Sequence, residues 1–248
     1  MMSRSEHKAW GPLEEEVRDL LNQCTAATVS GILWRSGIRN NIIRDISPID
    51  DRRASFIGTA YTLRYLPARD DVVNPSMAYR SDRALHVAAD EIAEGDVLVV
   101  DARGVTDAGV IGDVLGGRIV KRGGVAIVTD GGMRDVAELR EMGLPVWCRS
   151  RAAPGPSASH YPYEVQSAVA CGETLVIPGD VLIGNDDGVI VIPRQMAAEI
   201  ARHARDHDAM EAFIRRRIDA GAPAHGNYPP SEETLDAFEK EMGYRPRW

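Results

Sequence analysis

The feature that most constrains this chain is a pair of short, unbroken apolar runs, each followed by turn residues and a helix-like segment. Residues 97–100 (Val-Leu-Val-Val) and 125–128 (Val-Ala-Ile-Val) are rich in β-branched side chains. A strand buried on both faces needs such a run, because none of its side chains meets water. Strands of this kind that alternate with helices predict a parallel sheet and therefore an α/β fold.

Helix start and stop signals divide the rest of the chain into elements. Residues 13–36 are predicted to form an N-terminal helical hairpin, and residues 194–220 a C-terminal helix that opens after Pro193. With 248 residues and 44% hydrophobic content, the chain can bury one sizeable core. We therefore predict a single domain over residues 1–220, followed by a C-terminal extension at 221–248. The extension is predicted either to wrap a neighbouring subunit or to fray.

Charge and cysteine content exclude several classes of protein. The net charge is −8 and no block is rich in Lys or Arg, which argues against a nucleic-acid partner. Cys24, Cys148 and Cys171 are widely spaced and lack a C-x-x-C pairing, so neither a disulfide framework nor a zinc site is indicated. Residues 1–8 contain no apolar stretch of a signal peptide, and no run reaches membrane-spanning length. We expect a cytoplasmic protein with no membrane partner.

Residues 109–138 are the candidate active site. The apolar run 125–128 ends in Thr-Asp-Gly-Gly, and a helix is predicted to begin just after Arg134 and Asp135. These two side chains therefore lie where a strand's carboxyl end meets a helix N-terminus. In open α/β sheets that edge binds ligands, because backbone amides and the helix dipole favour an anion there.

The preceding residues supply the opposite wall. Glycines around Asp113 allow close backbone approach, so the amides of Gly112, Asp113, Val114 and Leu115 are predicted to hold one end of a substrate. Arg134 is suited to grip a substrate carboxylate. Asp113, and Asp135 next to Arg134, offer hard oxygen ligands to Mg²⁺ or Mn²⁺. The alternative is purely structural: a carboxylate that caps a helix, an arginine on the surface and glycines that only make turns.

The order Asp113, twenty residues, Arg134-Asp135, two residues, Glu138 resembles the signature of the RraA-like family. It is most similar to that of the class II pyruvate aldolases that cleave 4-hydroxy-4-methyl-2-oxoglutarate and 4-carboxy-4-hydroxy-2-oxoadipate. Further matches lie at residues 57–62, 95–101, 129–135, 145–146 and 178–193.

This resemblance implies a layered α/β sandwich similar to the phosphohistidine-type swivelling β/β/α domain. It also implies a divalent-metal-dependent lyase that releases pyruvate from a small 2-oxo acid, by retro-aldol cleavage, by oxaloacetate decarboxylation or by both. Asp135 would hold the metal and Arg134 would stabilise the enolate. Asp113 would orient a water or relay a proton, and Glu138 would orient Arg134 or the metal's waters. The family also contains a non-catalytic regulator that binds an RNA-degradation enzyme, which is the alternative function.

The resemblance also implies assembly. Similar aldolases form homotrimers or dimers of trimers, and a carboxylate from the neighbouring subunit reaches the metal's waters. Glu211 is the candidate for that metal-directed carboxylate, and an ion pair with Arg215 is the alternative. We therefore expect a trimer or hexamer.

Three further features leave alternatives open. His203 and His207 are four residues apart on the predicted C-terminal helix, a spacing that suits either a metal or a packed interface. Asp101 and Asp107 are alternative metal ligands or loop residues. The proline-rich segment 151–164, with His160, Tyr161 and Tyr163 among its residues, either covers the pocket or packs on the surface.

Overall fold

The computed structural model describes residues 11–69, 71 and 83–248; residues 1–8, interpreted above, lie outside this range. The helices are α1 Glu15–Asn22, α2 Ala26–Arg35, α3 Ala84–Glu91, α4 Asp113–Arg122, α5 Val136–Met142, α6 Ala197–Asp219 and α7 Glu232–Met242. The strands are β1 Ile42–Ile43, β2 Ser47–Pro48, β3 Phe56–Pro67, β4 Asp96–Asp101, β5 Ala126–Thr129, β6 Gly132–Met133, β7 Val146–Cys148, β8 Ser150–Arg151, β9 His160–Val165, β10 Val169–Cys171, β11 Thr174–Val176, β12 Val181–Asn185 and β13 Gly188–Ile192. No described helix has the length and apolar character needed to cross a membrane.

The described strands form one large mixed sheet and two small pairs. In the large sheet the order is β1-β13-β12-β3-β4-β5-β7-β2, and β9 pairs with the second half of β3. Strands β3, β4, β5 and β7 are parallel, while β12, β13 and β9 join antiparallel. The two apolar runs thus form the centre of a parallel core, as predicted. The β-rich second half supplies an antiparallel wing.

The sheet separates two differently covered faces. Leu98 and Val100 of β4 point into a core with residues of α3, α4 and α5, whereas Val97 and Val99 point into a core that includes the β10–β11 hairpin. All four side chains are fully buried. The layers are helices, sheet and a small β-hairpin, so the prediction of an α/β sandwich is confirmed.

Two crossovers position the candidate site. The chain runs β4–α4–β5 and then β5–α5–β7 between parallel strands, so α4 and α5 both begin at the carboxyl edge of the sheet. A Cβ atom on Gly116 of α4 would lie 2.5 Å from the Leu139 Cδ2 of α5. The glycine therefore permits the close packing of α4 on α5.

The terminal helices cover the antiparallel wing. Helices α1 and α2 lie in the segment predicted as a hairpin and share a core with α6 and strands β12 and β13. The predicted helix 194–220 begins with a 3₁₀ turn, Arg194–Met196, and continues as α6. Within the extension, α7 packs back on α6, and the fully buried Phe238 meets Phe213 edge-on with ring centres 5.4 Å apart. The prediction of a frayed tail is wrong, because these aromatic side chains give the segment a core of its own within the same chain.

Candidate active site

The candidate site lies at the adjacent N-termini of α4 and α5. Gly112 occupies the N-cap position of α4, Asp113 is its first residue, and Asp135 occupies the N-cap position of α5. The first-turn N–H groups of a helix have no acceptor within the helix. The amides of Val114 and Leu115 therefore face the same edge as the Arg134-Asp135 pair.

Asp135 does not act as an ordinary helix cap. Its backbone is left-handed, with φ 52° and ψ 43°, and its side chain makes no capping hydrogen bond to α5. Instead Oδ2 accepts a hydrogen bond from Arg134 Nε at 3.1 Å and one from the Asp113 backbone N–H at 3.4 Å. A left-handed non-glycine residue costs on the order of 1 kcal/mol, and such strain concentrates at functional sites. The Asp135 side chain therefore does not cap α5, although it accepts the first N–H group of α4.

Two glycines make this approach possible. A Cβ atom on Gly112 would lie 2.2 Å from Asp135 Oδ2, and one on Gly109 would lie 2.9 Å from the Arg134 Cβ. Both distances are too short for any side chain. The backbone before α4 therefore contacts the Arg134-Asp135 pair directly, as the close-approach prediction required.

The third wall comes from the start of the proline-rich segment. The Gly109 N–H donates to the Pro154 carbonyl at 2.8 Å, and the Ala152 N–H donates to the Met133 carbonyl at 2.9 Å. A Cβ atom on Gly155 would lie 3.2 Å from the Arg134 Nη1. The segment thus borders the candidate site, but through residues 152–155 and not through the aromatic residues considered from the sequence.

Those aromatic residues have other environments. His160 is fully buried, and its ring lies 4.6 Å from that of Tyr65. Tyr65 in turn donates to the Val110 carbonyl at 2.8 Å. Burial, with help from the nearby Arg103, lowers the pKa of His160 to about 4, so the ring is neutral at pH 7. Tyr163 is largely exposed.

The remaining predicted site residues differ in accessibility. The Val114 side chain is 78% exposed, whereas the Leu115 side chain packs against the core between helices and sheet. Glu138 is exposed and makes no hydrogen bond or ion pair with a described residue, Arg134 included. Its proposed orienting role has no contact to support it in a single chain.

Glu211 lies elsewhere in the fold. It is on α6, which packs mainly with α1 and α2, whereas α4 packs with α3 and α5. Its Oε1 accepts a hydrogen bond from the Tyr228 hydroxyl at 3.3 Å and lies 3.8 Å from the His207 Nδ1. These contacts occupy Glu211 in place of the ion pair with Arg215 considered above. Whether it reaches a neighbouring subunit's metal stays a prediction.

Other carboxylates at the same edge serve the loops. The buried Asp130 accepts from the backbone N–H groups of Ala102 at 2.7 Å and Gly104 at 2.9 Å, and burial raises its pKa. Asp101 accepts from the backbone N–H groups of Arg103 and Ala170. Asp107 accepts from the Ser159 hydroxyl. Asp101 and Asp107 thus fit the loop alternative. The role of Asp130 was not predicted, because no local sequence pattern indicates that this residue is buried.

The arrangement offers both an anion site and a cation site. Arg134 keeps 40% of its side chain exposed and Asp135 keeps 30%. Asp135 Oδ1 and the Asp113 carboxylate make no hydrogen bond with the described part of the chain. These free oxygens are the hard donors that Mg²⁺ and Mn²⁺ prefer, and the guanidinium suits a carboxylate.

Comparison with known proteins defines the class. The family model RraA-like (Aldolase/RraA) matches residues 24–191, so the chain belongs to the RraA-like family. The fold agrees: Streptomyces coelicolor RraAS2, described as an unusual member of the RNase ES inhibitor RraA protein family, superposes with a TM-score of 0.75 at 33% identity. That match covers 83% of this chain and 98% of RraAS2.

Two relatives show the range of the family. The 4-hydroxy-4-methyl-2-oxoglutarate aldolase of Thermus thermophilus is 28% identical over 142 residues, which are 57% of this chain and 77% of that protein. Protein DlpA of Legionella pneumophila is 27% identical over 235 residues, 94% of this chain, but the chain spans only 34% of DlpA. At family level these similarities support a lyase, and they also include RraA proteins described as inhibitors.

Proposed function

We propose that this protein is a divalent-metal-dependent lyase that cleaves a carbon–carbon bond of a small 2-oxo acid and releases pyruvate. The observation that carries the proposal is the Asp135 carboxylate, which turns away from its own helix towards Arg134 and the Asp113 amide. Although Oδ2 accepts the first N–H group of α4, Oδ1 makes no hydrogen bond with a described residue, so the carboxylate can still hold a cation beside the partly exposed Arg134.

The residues present suit a hard divalent cation. Asp135 Oδ1 and the Asp113 carboxylate are partly exposed oxygen donors, and the lack of a Cβ atom at Gly112 lets the Asp135 carboxylate lie against the start of α4. In this proposal Asp135 holds Mg²⁺ or Mn²⁺, and Asp113 orients its waters. When bound, the metal would supply a positive charge that polarises the substrate's 2-oxo group.

The protein's own groups account for the remaining requirements. Arg134 binds the substrate carboxylate and stabilises the negative charge that develops on the 2-oxo oxygen as the bond breaks. The free N–H groups of Val114 and Leu115 bind the other end of the substrate. Asp113 carries a proton to or from the reacting carbon or hydroxyl, and Glu138 is assigned an orienting role that requires it to move towards Arg134.

One site can serve two substrates in this proposal. Retro-aldol cleavage of a 4-hydroxy-2-oxo diacid and decarboxylation of oxaloacetate both break the bond between the third and fourth carbons. Both leave the enolate of pyruvate, so both need the same charge stabilisation at the 2-oxo oxygen. The chemistry therefore defines the substrate class as 2-oxo diacids whose fourth carbon departs as a carbonyl carbon or as CO₂.

The test is release of pyruvate from 4-hydroxy-4-methyl-2-oxoglutarate and from oxaloacetate, each with and without EDTA. We expect Mg²⁺ or Mn²⁺ to restore the activity of chelated protein, and Arg134→Ala to lower turnover by about 10²-fold. Arg118→Ala is the matched control, because Arg118 lies on α4 and, among the residues that the structure describes, pairs with the surface residue Asp90. An Arg134→Ala protein with unchanged turnover, or activity indifferent to EDTA, would overturn the proposal.

The alternative function is a non-catalytic regulator that binds an RNA-degradation enzyme. The similarity to RraAS2 favours it, since that protein is described within a family of RNase inhibitors. Absence of pyruvate from both substrates, together with inhibition of a ribonuclease E-type enzyme in a cleavage assay, would establish this alternative.

Assembly belongs to the same proposal. The Arg134-Asp135 pair is partly open to solvent, whereas charge development in the reaction is better stabilised in a water-poor site. A neighbouring subunit is proposed to close the site in a homotrimer or hexamer, with Glu211 as its contributing carboxylate. Light scattering coupled to size exclusion measures the assembly, and a fully active monomer would contradict it.

A further inference from the structure

A second group of potential metal ligands lies on α6, away from the sheet edge. One ligand atom from each of His207, Asp208 and Glu211 lies within 4.8 Å of the others. His207 and Glu211 are one helical turn apart, so their side chains share a face of the helix. The cluster mixes an imidazole nitrogen with two carboxylates, whereas the sheet edge offers oxygen donors alone.

His207 is the observation that distinguishes this cluster from ordinary surface charge. The residue is only 6% exposed, and its Nδ1 makes no hydrogen bond with the described part of the protein. Buried polar atoms are almost always hydrogen-bonded, so an unpartnered one requires an explanation. Its nearest carboxylate oxygen, Glu211 Oε1, is 3.8 Å away, which is too far for a hydrogen bond.

That separation suits two ligands of one ion. Nitrogen and oxygen donors bind Zn²⁺ at about 2.0–2.2 Å, so two donors on the same ion lie about 3–4 Å apart. An imidazole ring ligates a metal through a nitrogen lone pair, and Nδ1 is the His207 nitrogen that lies beside the Glu211 carboxylate.

Contacts with other elements orient the two carboxylates. Asp208 accepts a hydrogen bond from the Thr28 hydroxyl at 2.5 Å and one from the Thr25 backbone N–H at 3.2 Å. Glu211 accepts from the Tyr228 hydroxyl at 3.3 Å. Each carboxylate retains lone pairs for a metal, since a carboxylate has about four. Hydrogen bonds of this kind fix the direction of metal ligands.

The cluster joins three parts of the fold. Asp208 connects α6 to the start of α2, and Tyr228 connects Glu211 to the 221–248 segment. The Trp248 ring stacks on the His207 ring with centres 4.2 Å apart and planes 7° apart. An ion held here would fasten the 221–248 segment to α6.

We propose that His207, Asp208 and Glu211 form a structural site for one Zn²⁺-class transition-metal ion, with water completing its coordination. This site does not depend on the proposed catalytic metal at the sheet edge, but it competes with the cross-subunit role proposed for Glu211. Because one carboxylate faces only one ion at a time, Glu211 serves this ion in its own chain when the site is filled, instead of a neighbour's catalytic metal.

The experiment is calorimetric titration of tag-free, EDTA-treated protein with ZnCl₂, with MgCl₂ as the oxygen-preferring comparison. We expect one Zn²⁺ per chain at this cluster, and Mg²⁺ binding only at the sheet edge, where Asp135→Asn should abolish it. Affinity should fall by at least about tenfold in His207→Gln and in Glu211→Gln. His203→Gln is the matched control: His203 lies one turn earlier on α6 and outside the cluster. Asp135→Asn controls for binding at the sheet edge, and neither control variant should change the affinity for Zn²⁺.

A second readout reports the structural role. Zn²⁺ should raise the melting temperature of the wild-type protein and slow proteolytic release of the 221–248 segment, but should do neither in Glu211→Gln. That variant keeps an acceptor for Tyr228, so it remains informative even if His207→Gln folds poorly. No Zn²⁺ binding to the wild type, equal affinity in Glu211→Gln, or a loss in His203→Gln or Asp135→Asn as large as in the cluster variants would overturn the proposal.

Discussion

Two pairs of aspartates at the same sheet edge behave differently. Asp101 ends β4 and Asp130 follows the neighbouring strand β5. Both are at least nine-tenths buried and accept hydrogen bonds from backbone N–H groups of the loops. Asp113 and Asp135 follow a few residues later at the starts of α4 and α5 and are only partly buried. At least one oxygen of each has no hydrogen bond within the described residues.

The difference distinguishes carboxylates that hold loops in place from carboxylates that can bind a ligand. A carboxylate that is buried and whose two oxygens accept backbone N–H groups holds a loop together, and its burial leaves a ligand no access to the remaining lone pairs. A half-exposed carboxylate with a free oxygen can accept a metal or a proton. Position at the carboxyl edge is therefore necessary for the proposed site, but hydrogen bonding decides which carboxylates belong to it. The following predictions test this distinction, from the largest expected effect to the smallest.

Replacing Asp135 should affect activity more than stability. We expect Asp135→Ala to lower turnover by about 10²–10³-fold, because it removes the proposed metal ligand and the partner of Arg134. Its melting temperature should fall much less than that of an Asp130 variant, since the two hydrogen bonds that Asp135 accepts lie at a partly exposed site. Pyruvate release and thermal unfolding measure the two effects, with the surface variant Asp90→Ala as control. A folded Asp135→Ala protein with wild-type turnover would remove Asp135 from the site.

Replacing Asp130 should do the opposite. Asp130→Ala leaves the N–H groups of Ala102 and Gly104 without their acceptor, at a cost of about 3 kcal/mol in the free energy of unfolding. Activity per folded molecule should remain. Denaturant unfolding measures the loss, and Asp107→Ala, which removes one contact with an exposed serine hydroxyl, should cost far less. Stability equal to the wild type would show that Asp130 is not a structural carboxylate.

His160 is another buried ionisable residue, and its burial predicts that stability depends on pH. Its pKa is about 4 in the folded protein and 6.5 ordinarily, so between these values the unfolded chain binds more protons. Stability therefore falls as pH drops through 6.5 towards 4, by about 2 kcal/mol at pH 5 from this group. Asp96, Asp130 and Asp180, whose pKa values burial raises, act in the opposite direction.

The measurement for His160 is therefore a difference between proteins. Unfolding free energies of the wild type and His160→Gln are compared between about pH 7.5 and pH 5, and only the slope matters, because the buried amide lowers stability at every pH. The wild type should lose more stability than the variant as the pH falls. Parallel curves would mean that His160 titrates alike in the folded and unfolded states.

The smallest expected effect concerns the backbone beside Asp135. A methyl group at Gly112 would displace the Asp135 Oδ2, so Gly112→Ala should lower turnover by about tenfold without removing any charged group. Gly117→Ala is the matched control on α4, because its Cβ would meet the Met142 side chain at 3.7 Å, an ordinary van der Waals distance. The control should keep full activity and gain slight stability, as alanine favours a helix. Equal turnover in both variants would show that the close approach at Gly112 has no role in catalysis.

The sequence was sufficient for the elements whose causes are local. The β-branched runs predict the central strands, Pro193 and Thr25 mark starts of terminal helices, and the glycine-aspartate turns lead to the starts of α4 and α5. The spacing of Asp113, Arg134 and Asp135 also identified the family. These signals depend on side-chain periodicity and turn chemistry within a few residues, so a single sequence contains them.

Only the tertiary structure decided which charged groups are free. Asp135 reaches an amide 22 positions earlier, Asp130 serves a loop 26–28 positions earlier, and Asp208 meets Thr28 across 180 positions. In the folded protein the 221–248 segment packs on α6 of the same chain, and residues 152–155 lie beside Arg134. Burial and hydrogen-bond partners arise from residues distant in the chain, and no local pattern records them.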